Sequence, residues 1–208
     1  MSDKTSVLNE FYIDAVAEVL NVGMGSAATS LSEMINEEVM LSVPSVQFVS
    51  RKEASQAIEQ EAKTYVSGVC QHFDGAFSGD ALLLFPEEQS LELVRAVLQQ
   101  DDLALEDLTV MEQEAMTEIG NVILNACLCS MADMFKEEMQ GEIPEFVQGS
   151  LLQIFSTKGE LNNTEAVVLL LNMEFAIDKK NIQGYVTFLM DVESVERFKN
   201  NIEKFLDI

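Results

Sequence analysis

Basic residues are scarce in this sequence. Its 208 residues include 12 lysines and arginines against 36 aspartates and glutamates, which gives a net charge of −24 at pH 7. Proteins bind nucleic-acid phosphates and anionic membrane surfaces with clustered lysine and arginine. The composition therefore argues against both kinds of partner. The apolar content of 48% is that of a folded globular protein whose acidity favours solubility.

Long apolar runs and the features of a signal peptide are also scarce in this sequence. No apolar run reaches the roughly 18 residues of a membrane span, and residues 1–6 lack the basic and apolar parts of a signal peptide. The three cysteines, Cys70, Cys127 and Cys129, contain no Cys-x-x-Cys pair. This usage is typical of a reducing compartment. We therefore expect a cytoplasmic protein without membrane insertion, whose cysteines serve in packing.

Residues for common catalytic and cofactor sites are few. His72 is the single histidine and lies in an alternating, strand-like segment, which argues against a Ser-His triad or a zinc site built on histidine, so we assign it a structural role. Gly23-Met-Gly25 follows no strand and lies within a helical pattern, unlike a nucleotide-binding loop. We expect this chain to bind no metal or cofactor of its own.

One polar pattern is present twice, one hundred residues apart. In each copy a carboxylate is followed four residues later by Glu, then three residues later by Asn, then 23 residues later by Pro. The copies are Asp14, Glu18, Asn21 and Pro44, and Glu114, Glu118, Asn121 and Pro144. The shared spacing indicates an internal duplication. We expect a single domain over 1–208 made of two homologous halves, about 1–105 and 106–208.

The spacing places each copy on one helix face. A helix turns about 100° per residue, so Asp14, Glu18, Asn21 and Gly25 fall within roughly 60° of one another. Their neighbours are mostly apolar, which predicts a narrow polar stripe on a largely buried helix. Gly25 lets another surface approach the stripe. The second copy forms the same stripe with Asn125 in the place of Gly25.

Periodicity and turn residues predict the same order of elements in both halves. The first half is predicted to contain a helix at 7–36, a strand at 45–49, a helix or loop at 51–63, strands at 64–73 and 77–85, and a helix at 86–100. The second half is predicted to contain a helix from a Thr109/Glu112 capping box to about 138, strands at 145–155, 165–177 and 183–191, a turn at 158–163 and a helix at 192–206.

The fold class predicted from this order is α/β with internal pseudo-two-fold symmetry. Three strands per half are few for an independent sheet, so we expect one continuous mixed β-sheet. The two long motif-bearing helices should lie side by side on one face of that sheet.

Three interpretations of the polar stripes are open from the residues alone. They could be ordinary solvated helix faces. Paired carboxylates could act as acid and base on a glycoside, but that chemistry needs a cleft between two acids, and here each Glu recurs with Asn. An Asn amide can hold a water molecule, and a nearby Glu can bind a cation on a partner. This pairing suits hydrolysis by a positioned water, with charge stabilisation supplied elsewhere.

The two motif segments, beginning at Glu18 and Glu118, resemble the signature helices of the CheC/CheX/FliY phosphatases of chemotaxis. The family pattern is Asp or Ser, three residues, Glu, two residues, Asn, 22 residues and Pro. The first copy fits in full, and the second has Glu114 in place of Asp or Ser. Two motifs in a chain of this length resemble the CheC branch.

The resemblance implies removal of the phosphoryl group from the aspartyl phosphate of a CheY-type receiver domain. It implies that Asn21 or Asn121 orients water, that Glu18 or Glu118 pairs with a receiver lysine, and that the receiver supplies Mg²⁺. Asp14 and Glu114 would support these residues. Because Glu114 departs from the family pattern, we rank the first site above the second. CheD, a receptor deamidase, is a further implied partner. The competing hypotheses are a non-catalytic flagellar-switch or CheD-binding adaptor and an unrelated acidic protein.

Overall fold

The computed structural model describes residues 10–62, 65–99, 105–157, 167–177 and 180–207. The first half contains α1 (Glu10–Ile35), β1 (Val39–Ser50), α2 (Arg51–Ala62), β2 (Tyr65–Gly75), β3 (Gly79–Pro86) and α3 (Glu87–Leu98). The second contains α4 (Leu105–Phe135), β4 (Met139–Gly141), β5 (Glu145–Ser150), α5 (Leu151–Thr157), β6 (Val167–Ile177), β7 (Lys180–Met190) and α6 (Val192–Phe205). The same element order occurs twice, apart from the interruption between β4 and β5.

The described strands form one sheet in the order β1-β6-β7-β3-β2-β4, with β5 also paired to β2. Replacing each strand by its counterpart in the other half reverses this order, so the pseudo-two-fold axis passes between β7 and β3. The first strand of the first half, β1, pairs with β6 of the second, and the interrupted first strand of the second half, β4 and β5, pairs with β2 of the first. The predictions of one continuous sheet and of internal symmetry are confirmed.

The direction of the strands differs from the prediction. A mixed sheet was expected, whereas all the pairings among the described strands are antiparallel. The hairpins β2–β3 and β6–β7 reverse the chain within a few residues. Antiparallel neighbours need only such short turns, while parallel neighbours need a crossover of a dozen or more residues.

The two long helices lie side by side on one face of the sheet, as predicted. Residues of α1 and α4, including Leu20, Met24 and Ile123, share one buried core with inward-facing strand residues. A Cβ on Gly23 would lie 2.8 Å from the Ala126 carbonyl oxygen, so α1 and α4 approach closely here. The opposite face of the sheet is covered by α2 and α5 over a second apolar cluster.

The start of α4 corrects one predicted element. The helix begins at Leu105, four residues before Thr109, so Thr109 and Glu112 do not form the capping box. Glu112 is buried instead, and its carboxylate accepts a hydrogen bond from the Ser90 hydroxyl of α3. Glu112, which the sequence placed in a capping box, thus makes a contact between two helices.

Residues 151–157 also differ from the prediction. The strand expected over 145–155 ends at Ser150, and α5 follows. Leu151, Ile154 and Phe155 are buried at helical spacing, which places all three on one face. Gly149, with φ of 149°, lies just before this change. The turn predicted at 158–163 lies outside the described residues.

Among the described residues, one helical segment is long and apolar enough, by length and composition, to cross a membrane: Met111–Phe135 of α4. This apolarity has a role inside the fold. Met116, Ile119 and Ile123 are fully buried in the core that α4 shares with the sheet. A core helix of this kind passes the same test.

Candidate functional site

The first polar stripe faces outward. Asp14, Glu18 and Asn21 are all exposed, and a Cβ on Gly25 would have no heavy atom within 4 Å. The apolar residues of α1, among them Leu20 and Met24, are buried on the other side. The stripe is therefore available to a partner, because no other described element covers Glu18 or Asn21.

Asn21 is held by the strand that contains Pro44. Its Nδ2 donates to the Ala17 carbonyl at 3.0 Å and to the Val43 carbonyl at 3.3 Å, while its Oδ1 accepts from the Val43 N–H at 2.9 Å. The pairing of β1 with β6 is irregular between Ser42 and Ser45. A bulge of this kind leaves backbone groups without ladder partners, and Asn21 pairs with those of Val43. The long-range spacing from Asn to Pro therefore has a structural basis in the first half.

The second stripe is built differently around its Asn. Glu114 and Glu118 are exposed, and Asn121 is half-buried. The Oδ1 of Asn121 accepts from Asn125 Nδ2 at 2.8 Å, and Asn125 Oδ1 accepts from Gln71 Nε2 at 2.9 Å. Gln71 Nε2 also donates to the Glu142 carbonyl at 2.8 Å. These bonds join α4 to β2 and to the segment before Pro144.

The two halves also differ at the residue before each motif proline. Val43 is 4% exposed, whereas Ile143, at the matching position, is 86% exposed. Pro44 is exposed and Pro144 is buried. The interruption between β4 and β5 falls here, so the backbone of the second half does not reach its Asn in the way Val43 reaches Asn21.

Sequence reasoning missed Gln71. It is 1% exposed and lies in β2, far from both motifs in the chain. A glutamine at a buried strand position is a signal for a hydrogen-bonded role, because a buried amide needs partners. Only the tertiary contact shows that its partner is Asn125.

The carboxylates of the two stripes can each bind a cation on a partner. In the part of the chain that the structure describes, none of Asp14, Glu18, Glu114 and Glu118 forms an ion pair. A charged donor on a partner could bind them through charge-assisted hydrogen bonds. The same described ranges contain no cluster of three or more His, Cys, Asp or Glu placed to hold a metal ion.

His72 and Cys127, to which the sequence analysis assigned structural roles, lie outside the two stripes. The His72 Nδ1 lies 3.0 Å from Asp80 Oδ1, and its Nε2 lies 3.5 Å from Asp74 Oδ2. Cys127 is fully buried, and desolvation raises the pKa of its thiol to about 12. It therefore stays protonated near neutral pH, as packing would require, while Cys129 is exposed.

Two family models match the chain, one in each half's motif region. The model described as chemotaxis phosphatase CheX matches residues 67–167, and the CheC-like family model matches residues 12–47. The first match includes Glu118 and Asn121, and the second includes Glu18 and Asn21. Both matches are to families of the CheC/CheX/FliY type, to which the chain is therefore similar. The sequence resemblance is thereby confirmed.

Two curated proteins of this family are similar to the chain. The CheY-P phosphatase CheC of Bacillus subtilis is 25% identical over 140 residues, which are 66% of this chain and 66% of that protein. The flagellar motor switch phosphatase FliY of the same organism is 27% identical over 194 residues, 90% of this chain. The matched part is 50% of FliY, so the chain spans about half to two-thirds of these relatives.

Solved structures share the fold. Thermotoga maritima FliY has a TM-score of 0.75 at 19% identity and covers 96% of this chain and 99% of its own. A FliG–FliM complex from H. pylori gives 0.66 at 10% identity, covering 92% and 98%. A CheX–CheY–BeF3–Mg²⁺ complex from Borrelia burgdorferi gives 0.51 at 17% identity, covering 82% and 97%. At these identities the similarity shows the fold alone.

Proposed function

We propose that this protein dephosphorylates the aspartyl phosphate of a CheY-type receiver domain, in the cytoplasm. The observation that carries the proposal is the pair of solvent-facing stripes, each with Glu and Asn one helical turn apart, on two adjacent helices. The relatives named CheC and FliY are phosphatases by name, and a structural neighbour is a complex of CheX with CheY.

In this mechanism Glu18 or Glu118 pairs with a lysine of the receiver. The carboxamide of Asn21 or Asn121 then orients a water molecule in line with the phosphorus atom. The water oxygen bonds to phosphorus as the bond from phosphorus to the aspartyl oxygen breaks. Inorganic phosphate and a free aspartate carboxylate result, and the water proton passes to phosphate or solvent. Asp14 and Glu114 add negative charge beside each Glu.

The receiver brings its own Mg²⁺ with the phosphoaspartate in this proposal. The CheX neighbour was solved with CheY, BeF3 and Mg²⁺ together, which supports this division of parts. A lysine and a divalent cation on the partner also offset the repulsion from a chain of net charge −24. Docking should therefore depend on local pairing with Glu18 and Glu118 more than on long-range attraction.

The test is the decay of a phosphorylated CheY-type receiver with and without this protein. We expect faster decay with the unmodified protein and a loss of at least about tenfold of that acceleration in Asn21→Ala/Asn121→Ala, because the positioned water is lost. Asn200→Ala, at an exposed position of α6, is the matched control, and circular dichroism verifies folding. Full acceleration by the double variant would exclude the mechanism.

A flagellar-switch role is the second candidate. It is favoured by the fold similarity to FliM in a FliG–FliM complex and by the relative named flagellar motor switch phosphatase. Binding of a receiver or a FliG-type protein with no change in phosphate loss would favour this role. CheD is a further proposed partner, which a direct binding measurement would test.

A further inference from the structure

We propose that Gln71 and Asn125 are positioning residues that orient the Asn121 carboxamide and make the second site the faster of the two. This inference rests on the proposed phosphatase function. It reverses the ranking suggested by the departure at Glu114, and it arises from hydrogen bonds between residues that are far apart in the sequence.

One backbone carbonyl sets the direction of the hydrogen bonds that link Gln71, Asn125 and Asn121. The Glu142 carbonyl can only accept, so the Gln71 amide must present Nε2 to it. The same Nε2 donates to Asn125 Oδ1. Asn125 must then direct its Nδ2 to Asn121, whose Oδ1 accepts. Each amide in the series is thereby fixed in one of its two flipped states.

Burial makes this arrangement costly to change. Gln71 is 1% exposed, and a buried amide that loses its partners bears a desolvation cost. Gly141 provides the space, since a Cβ there would collide with Gln71 Nε2. The first half has no such series of side-chain hydrogen bonds, because Gly25 occupies the position that Asn125 occupies in the second half.

The two asparagines consequently offer different atoms to a partner. Both N–H groups of Asn21 have acceptors, the carbonyls of Ala17 and Val43, and its Oδ1 accepts from the Val43 N–H. Only one lone pair of Asn21 Oδ1 is left to hydrogen-bond with a partner or a water molecule. Asn121 donates to no residue in the described part of the chain. It keeps two N–H groups and one lone pair.

This difference decides what each site can do for the reaction. Asn121 can accept from the attacking water and donate to a phosphoryl oxygen at the same time. Asn21 can do only the first unless it releases Val43. Donors fixed in place before the reaction stabilise developing negative charge without reorganisation. The second site therefore has the larger rate advantage.

The substitution Asn125→Asp tests the orientation with almost no change in shape. A carboxylate only accepts, so it retains the bond from Gln71 Nε2 but draws the Asn121 N–H groups inward. In an Asn21→Ala background, in which only the second site can act, we expect Asn125→Asp to lower turnover about tenfold or more. The KM for the phosphorylated receiver should change much less. Asn200→Asp adds the same charge on exposed α6 and serves as the control.

The comparison background is Asn121→Ala, which leaves only the first site. Asn125→Asp should lower turnover there far less than it does in the Asn21→Ala background. Equal fractional losses in the two backgrounds, or a change confined to KM, would overturn the proposal. Greater residual turnover in Asn121→Ala than in Asn21→Ala would overturn the ranking of the sites.

A measurement without activity separates this inference from the proposed function. In ¹H–¹⁵N NMR spectra, Asn125→Asp should shift the side-chain amide signals of Asn121 and slow their exchange with solvent, because those hydrogens gain an acceptor. Unchanged signals would overturn the positioning role. If the unmodified protein fails to accelerate phosphate loss, the proposed function fails, while these spectra still decide whether Asn125 orients Asn121.

Discussion

At the scale of single residues, His72 shows how a histidine with a structural role can still respond to pH. The hydrogen bond to Asp80 raises the pKa of His72, and the charges of Asp80, Asp74 and Glu142 add to this effect, while partial burial opposes it. The folded state therefore holds the imidazole proton more tightly than the unfolded state, so this group contributes stability that depends on pH.

The sign of that dependence gives the first prediction. The contribution of His72 should be fully present below the unfolded pKa, about 6.5, and should disappear as the pH rises through the raised folded pKa. We expect the difference in unfolding free energy between the unmodified protein and His72→Gln to shrink from pH 6 to pH 8.5. Urea denaturation at a series of pH values measures it. A difference independent of pH would contradict the assignment.

At the scale of elements, the contact between α1 and α4 sets how close the two stripes lie. Gly23 permits this contact, because a Cβ there would lie 2.8 Å from the Ala126 carbonyl oxygen and 2.6 Å from Ser130 Oγ. Gly25, two residues later on the same helix, points into open space. The two glycines therefore have different roles, and only the tertiary structure shows that Gly23 is the one in contact with α4.

A matched pair of substitutions tests this distinction. Gly23→Ala should destabilise the fold by about 1–3 kcal/mol, because the added methyl group must push the helices apart. Gly25→Ala should instead stabilise it by roughly 0.5–1 kcal/mol through the higher helix propensity of Ala. Thermal and urea unfolding of both variants measures the effects. A similar change of the same sign in both would show that helix contact is not the cause.

At the scale of the whole molecule, the halves are joined by exchanged strands. The first strand of the first half, β1, pairs with β6, and β5 pairs with β2. Because β3 also pairs with β7 across the two halves, each half on its own keeps one hairpin, and both edges and the apolar faces of that hairpin would be open to solvent. We therefore propose that the chain folds as one domain in spite of its internal duplication.

Fragments provide the corresponding prediction. Residues 1–104 and 105–208, produced separately, should each lack a cooperative unfolding transition, since a sheet of two or three strands with uncovered edges rarely persists alone. An equimolar mixture should regain the transition, because the exchanged strands can pair between fragments. Calorimetry of each fragment and of the mixture tests this. Cooperative unfolding of either fragment by itself would show that the halves are independent domains.

The sequence by itself determined the features that depend on local spacing. The repeated Glu and Asn positions identified the duplication, and helical periodicity placed Asp14, Glu18 and Asn21 on the outward side of α1. The break between the predicted strands 64–73 and 77–85 located the β2–β3 hairpin, and the periodicity of 192–206 located α6. Such features are recoverable because residues a few positions apart share a face or a turn.

The tertiary structure alone decided the features that join distant parts of the chain. These are the antiparallel direction of the whole described sheet, the exchange of β1 and β5, the burial of Glu112 against Ser90, and the bonds of Asn21 to Val43 and of Asn125 to Gln71. Each depends on which backbone and side-chain groups meet after folding, and a buried polar group takes the partner that packing brings to it. The two copies share Glu, Asn and Pro at the same spacing, while the hydrogen bonds around their asparagines differ.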